Sequence, residues 1–133
     1  MDREPKILLV DDEENILRSV EKTLFRAGFD VETAGGNAEA YQMYLEAITG
    51  GAPFDLVIID LNMPDFDGKE GRYAGLELLK RIKGQTPGIP VIANSAWDEV
   101  ETAKLCIEQG AADYFVKGRN QEMLQKIQTV LGT

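Results

Sequence analysis

Leu56-Val57-Ile58-Ile59-Asp60 decides the fold: four consecutive apolar residues, three of them β-branched, run straight into an acid. Ile7-Leu8-Leu9-Val10-Asp11-Asp12 repeats the plan. Continuous rather than alternating apolar character is expected of a strand covered on both faces by helices, which means a parallel α/β sheet. Working outward, short β-type runs alternate five times with segments of helical period, predicting strands over 6–10, 30–33, 56–60, 90–94 and 113–117. The stripes between them are Ile16, Val20 and Leu24; Tyr41, Tyr44, Leu45 and Ile48; Leu79 and Ile82; Val100, Ala103 and Ile107; and Met123, Leu124, Ile127, Val130 and Leu131. Asn37 reads as an N-cap, Gly28 and Gly110 as helix stops, and Pro87 and Pro90 as brackets of the turn into the fourth strand. Repeated strand-helix units with right-handed crossovers predict an open, doubly wound five-stranded parallel sheet with five helices, a class in which the flavodoxin-like order is 2-1-3-4-5; a (β/α)₈ barrel would need about 250 residues.

The whole chain, 1–133, reads as one domain. Its 133 residues are 44% hydrophobic and 28% charged, with no linker, low-complexity tract or internal repeat. A net charge of -9 is the wrong sign for gripping nucleic acid phosphates or anionic lipid. The absence of histidine excludes Cys/His zinc sites and histidine-based triads, and the single Cys106 has no partner for an internal bridge. With no apolar run longer than four residues and no signal-peptide pattern at its start, the chain reads as soluble and cytoplasmic, without membrane insertion.

In open α/β sheets the binding crevice lies beyond the carboxyl ends of the strands. Here those ends carry Asp11-Asp12-Glu13-Glu14, Asp60, Asn94-Ser95 and Lys117. In the order 2-1-3-4-5 the first and third strands are neighbours, about 4.8 Å apart, which brings Asp11 and Asp12 to Asp60. Crowded carboxylates raise one another's pKa, and a hard divalent cation with oxygen ligands relieves them. A cation beside a carboxylate, a hydroxyl and a lysine is a recurrent arrangement for handling a phosphoryl group.

Ile7-Leu8-Leu9-Val10-Asp11-Asp12-Glu13, Asp60-Leu61-Asn62-Met63-Pro64 through Gly68, Ser95-Ala96 and Tyr114-Phe115-Val116-Lys117 together resemble a response regulator receiver domain, over nearly the whole chain. The resemblance implies that Asp60 accepts a phosphoryl group from a sensor histidine kinase or a histidine phosphotransfer protein. It implies Mg²⁺, or Mn²⁺, on Asp12, Asp60 and the Asn62 backbone carbonyl, with Asp11 acting mainly through water. Ser95, the Ala96 backbone amide and Lys117 would hold the phosphoryl oxygens. Ser95 and Tyr114 would form the switch, changing the face made by the fourth helix, fifth strand and fifth helix. The output partner is open, as is the choice between a monomer and a phosphorylation-dependent dimer.

Two departures stand out. Gly118 replaces the proline that usually follows the lysine, so the Lys117–Gly118 peptide is expected to be trans. Residues 69–75 read as an insertion after the Met-Pro turn, either a partner-selecting segment or a tolerated surface loop. Tyr114 has ordinary packing as its alternative reading, and Ser95 helix capping. Trp97 could limit water access or merely cover apolar surface, and Cys106 reads as a passive small hydrophobe. Three other functions compete: a phosphorylation-independent interaction module, a haloacid dehalogenase-like phosphatase and an FMN carrier. The phosphatase would place a second aspartate where Asn62 stands, and the carrier a phosphate-binding loop where Asp11-Asp12 stand.

Overall fold

The computed structural model describes residues 4–62, 74–96 and 100–132. Strands and helices alternate as β1 (Lys6–Val10), α1 (Glu14–Arg26), β2 (Asp30–Ala34), α2 (Asn37–Thr49), β3 (Leu56–Asp60), α3 (Gly75–Gln85), β4 (Val91–Ser95), α4 (Val100–Glu108), β5 (Asp113–Val116) and α5 (Asn120–Leu131). The strands form one parallel sheet in the order β2-β1-β3-β4-β5. Every residue of β3 is buried, as its unbroken apolar run requires.

Alternate strand residues divide the core between the two faces. Ile7, Leu9, Ile58, Ile92 and Phe115 meet Leu17 and Leu24 of α1 and Met123 and Ile127 of α5. Leu8, Val10, Val57, Ile59 and Ala93 meet Tyr44 of α2, Leu78, Leu79 and Ile82 of α3 and Cys106 of α4. Cys106 is fully buried, and burial pushes its thiol up to about 11, so it packs as a small hydrophobe. Among the described residues, no helix is long and apolar enough to cross a membrane.

Several local readings need correction. Asn37 is the first residue of α2, after Gly36, rather than its cap. Its Nδ2 donates 3.1 Å to the Ala74 carbonyl ahead of α3, so a contact between helices has claimed the side chain. β4 begins and ends one residue later than expected: Pro90 has no N–H to give the ladder, and Ser95 stays in it opposite Val116. β2 extends by one, to Ala34 opposite Val10, and β5 stops one earlier, at Val116.

In α4 the side facing the sheet is Thr102 and Cys106, whereas Val100 and Ile107 of the expected stripe are exposed. That stripe lines a groove of about 550 Å³ with Tyr114, Phe115 and Val116 of β5 and Arg119, Glu122 and Lys126 near or on α5. Gly75, counted with the insertion in the sequence, is the first residue of α3, packed so tightly on β3 that a Cβ would run into the Asp60 carbonyl oxygen. Residues 69–73, the Met63-Pro64 turn, Gly68 and Trp97 lie outside the described residues.

Candidate phosphoryl-transfer site

Because all strands run the same way, their carboxyl ends form one rim. Ile59 of β3 pairs with Val10 of β1, so the next residues, Asp60 and Asp11, emerge side by side. Both are buried, with no measurable exposure for Asp60 and 2% for Asp11. Each carboxylate is fixed by a short turn, Glu13 N–H donating 2.9 Å to Asp11 Oδ1 and Asn62 N–H donating 2.9 Å to Asp60 Oδ1.

Lys117, just past β5, reaches across β4 into this pair. Its Nζ stands 2.8 Å from Asp60 Oδ2, 3.2 Å from Asp11 Oδ2 and 3.1 Å from Glu13 Oε1. Burial pushes the Asp60 carboxyl up to about 6, outweighing the hydrogen bonds from Lys117 and the Asn62 amide, and the charge of Asp11 adds to the rise. Burial pulls the other way on Lys117, but its bond to Asp60 and the charges of Asp60 and Asp11 raise it overall, so the ammonium stays charged. Asp12 is raised by burial and by Asp11.

Asp11, Asp12, Glu13 and Asp60 each offer a carboxylate oxygen, all within 4.8 Å of one another. Among the described residues, four carboxylates against one ammonium leave an excess of negative charge in an all-oxygen donor set, which suits a hard divalent cation. Glu13 was assigned no role from the sequence; the unbroken acidic run after the first strand was the signal available for it.

Beyond β4, the Ser95 hydroxyl donates 3.1 Å and the Ala96 amide 3.3 Å to the side-chain Oδ1 of Asn62. From the sequence, Asn62 was expected to serve the site only through its backbone carbonyl, its side chain counting merely against a phosphatase. Tyr114 is buried, 8% exposed, in the core on the α2–α4 side and pairs in register with Ala93. Asn94, opposite Asp60 in register, is also buried, and its Oδ1 has no hydrogen-bond partner among the described residues. The Lys117–Gly118 peptide is trans, as expected.

The family model for the response regulator receiver domain matches residues 7–128. The chain belongs to this family. It is 34% identical over 113 residues to the transcriptional regulatory protein PrrA of Mycobacterium tuberculosis, an alignment covering 85% of this chain and 43% of PrrA. This receiver domain therefore spans less than half the length of that relative. Among solved structures, it is similar to a response regulator receiver domain protein from Clostridium thermocellum, with a TM-score of 0.82 and 29% identity over 96% of this chain and 94% of that one. It is also similar to a chain of the CheX–CheY–BeF₃–Mg complex from Borrelia burgdorferi, with a TM-score of 0.81 and 25% identity over 95% of this chain and 88% of that one. Receiver domains are signalling domains of two-component systems, switched in general by phosphorylation, and they bind Mg²⁺ at an acidic pocket.

Proposed function

We propose that this receiver domain accepts a phosphoryl group on Asp60 from a sensor histidine kinase or a histidine phosphotransfer protein. The observation that carries the reading is Asp60 itself: a buried carboxylate at a strand end, bonded to Lys117 and beside Asp11. An Asp60 carboxylate oxygen bonds to phosphorus as the bond from phosphorus to the donor imidazole nitrogen breaks, and the electron pair leaves with that nitrogen. The product is an acyl phosphate.

Lys117 neutralises the phosphoryl oxygens, which add about -1.5 to -2 charge, while the Ser95 hydroxyl and the Ala96 amide donate to them. Asp12, Asp60 and the Asn62 backbone carbonyl would hold Mg²⁺ or Mn²⁺, with Asp11 acting mainly through water. Bound there, the cation would offset the carboxylates and the developing phosphoryl charge. The Borrelia burgdorferi complex, with BeF₃ and Mg in its composition, supports a site of this chemistry.

Ser95 and Tyr114 then bias the face formed by α4, β5 and α5, where the exposed Val100 and Ile107 give an output protein an apolar footing. Residues 1–133 act as a single cytoplasmic receiver domain, a monomer or a phosphorylation-dependent dimer, without direct contact to nucleic acid. The test is intact mass after incubation with acetyl phosphate, with and without Mg²⁺, for the native chain and Asp60→Asn. One Mg²⁺-dependent phosphoryl adduct, absent from the variant, is expected. No adduct, with BeF₃⁻ also failing to bind, would overturn the reading in favour of a phosphorylation-independent interaction module.

A further inference from the structure

The two donors assigned to the phosphoryl oxygens already have an acceptor. Ser95 Oγ lies 3.1 Å and the Ala96 amide nitrogen 3.3 Å from the same atom, Asn62 Oδ1. A backbone amide can only donate, so the Ala96 contact fixes which end of the carboxamide points at it. A carbonyl oxygen has two lone pairs, and here both are engaged. The same residue holds the nucleophile from its main chain, its N–H donating 2.9 Å to Asp60 Oδ1. The other nucleophile oxygen, Oδ2, is held by Lys117.

We propose that the Asn62 carboxamide oxygen stands in the place of a phosphoryl oxygen in the resting chain, so that phosphoryl uptake must displace it from Ser95 and Ala96. Asn62 is thus a positioning residue that sets the threshold for phosphorylation. This deepens the reading of Asp60 as phosphoacceptor and rests on it. A phosphoryl oxygen carries charge and makes the stronger bonds, so it wins the donors; the displacement reduces its net affinity without preventing uptake.

The experiment is a BeF₃⁻ titration at saturating Mg²⁺, followed by fluorescence of Trp97, the single tryptophan, for the native chain, Asn62→Ala, Ser95→Ala and the double variant. Asn62 is only partly buried, so truncating it leaves the core packing in place. Losing two competing hydrogen bonds of ordinary strength should tighten BeF₃⁻ binding by about fivefold or more in Asn62→Ala. The gain should be smaller in the Ser95→Ala background, where one of the contested donors is already gone; a generic structural effect would not depend on Ser95 in this way. The rate of acetyl phosphate labelling, read by intact mass, should rise with the affinity. Equal or weaker BeF₃⁻ binding by Asn62→Ala, with the native chain still binding, would overturn this inference and leave Asp60 as phosphoacceptor standing. Failure of every chain to bind BeF₃⁻ or to take a phosphoryl group would overturn both.

Discussion

The Lys117 ammonium donates 2.8 Å to Asp60 Oδ2, and its side chain is only 10% exposed. It is the counter-charge to a buried carboxylate whose folded pKa of about 6 lies above the ordinary value. A carboxyl raised in this way favours the fold most at low pH, and that contribution is lost as pH rises through about 6. Lys117→Met removes the ammonium and raises the Asp60 pKa further. The expected loss, without metal, is about 3 kcal/mol at pH 8, shrinking toward pH 5 as Asp60 takes up a proton. Urea unfolding at the two pH values measures it; an equal loss at both would refute the assignment.

Gly75 sits where a Cβ would meet the Asp60 carbonyl oxygen and stand 2.9 Å from Leu61 Cα. Those neighbours are backbone and cannot swing aside. Gly75→Ala therefore moves α3 off β3 or shifts the strand that ends at Asp60. The expected cost is about 2 kcal/mol in chemical denaturation, against the gain in helix propensity that alanine brings elsewhere. Labelling by acetyl phosphate should also slow, because the displaced backbone carries Asp60, the proposed phosphoacceptor.

Strand positions were legible because a strand buried on both faces has no alternative to a continuous apolar run, as in β1 and β3. Asp11, Asp12, Asp60 and Lys117 were legible as candidates because parallel strand ends must share a rim. Other features depend on what lies across from a residue, which periodicity does not encode. The stripe of Val100, Ala103 and Ile107 is real, but Thr102 and Cys106 face the sheet and the stripe faces a groove. Asn37 has the chemistry of an N-cap, yet its amide goes to Ala74 in another part of the chain. Gly75 resembled a loop residue until α3 was seen resting on Asp60. The Asn62 carboxamide matters through Ser95 and Ala96, more than thirty positions away in sequence.

Asp12 tests the cation site. Burial and the charge of Asp11 raise its pKa, so in the metal-free chain its carboxylate opposes folding slightly. Asp12→Asn should leave the metal-free thermal midpoint unchanged or slightly higher. In the native chain Mg²⁺ should raise the midpoint by mass action, and the substitution should remove most of that rise. Calorimetric scans with EDTA and with millimolar Mg²⁺ give both numbers. A Mg²⁺-induced rise that survives in Asp12→Asn would remove this residue from the ligand set.

Gly118 takes φ +92°, in the left-handed region, and a Cβ there would meet nothing within 4 Å. The cost of a side chain is therefore conformational alone, and Gly118→Ala should destabilise by about 1 kcal/mol with an unchanged denaturant m-value. Proline is different in kind. Its ring fixes φ near -65°, so the proline usual at this position in the family cannot occupy the turn as this chain builds it. The turn also carries the Arg119 N–H to Val116 carbonyl bond of 3.2 Å, immediately after the lysine that holds Asp60. Gly118→Pro should thus cost more than Gly118→Ala and should move Lys117. Its BeF₃⁻ affinity should fall along with its stability, whereas that of Gly118→Ala should hold. Equal stability of the alanine and proline variants would show that the turn accepts a second backbone path.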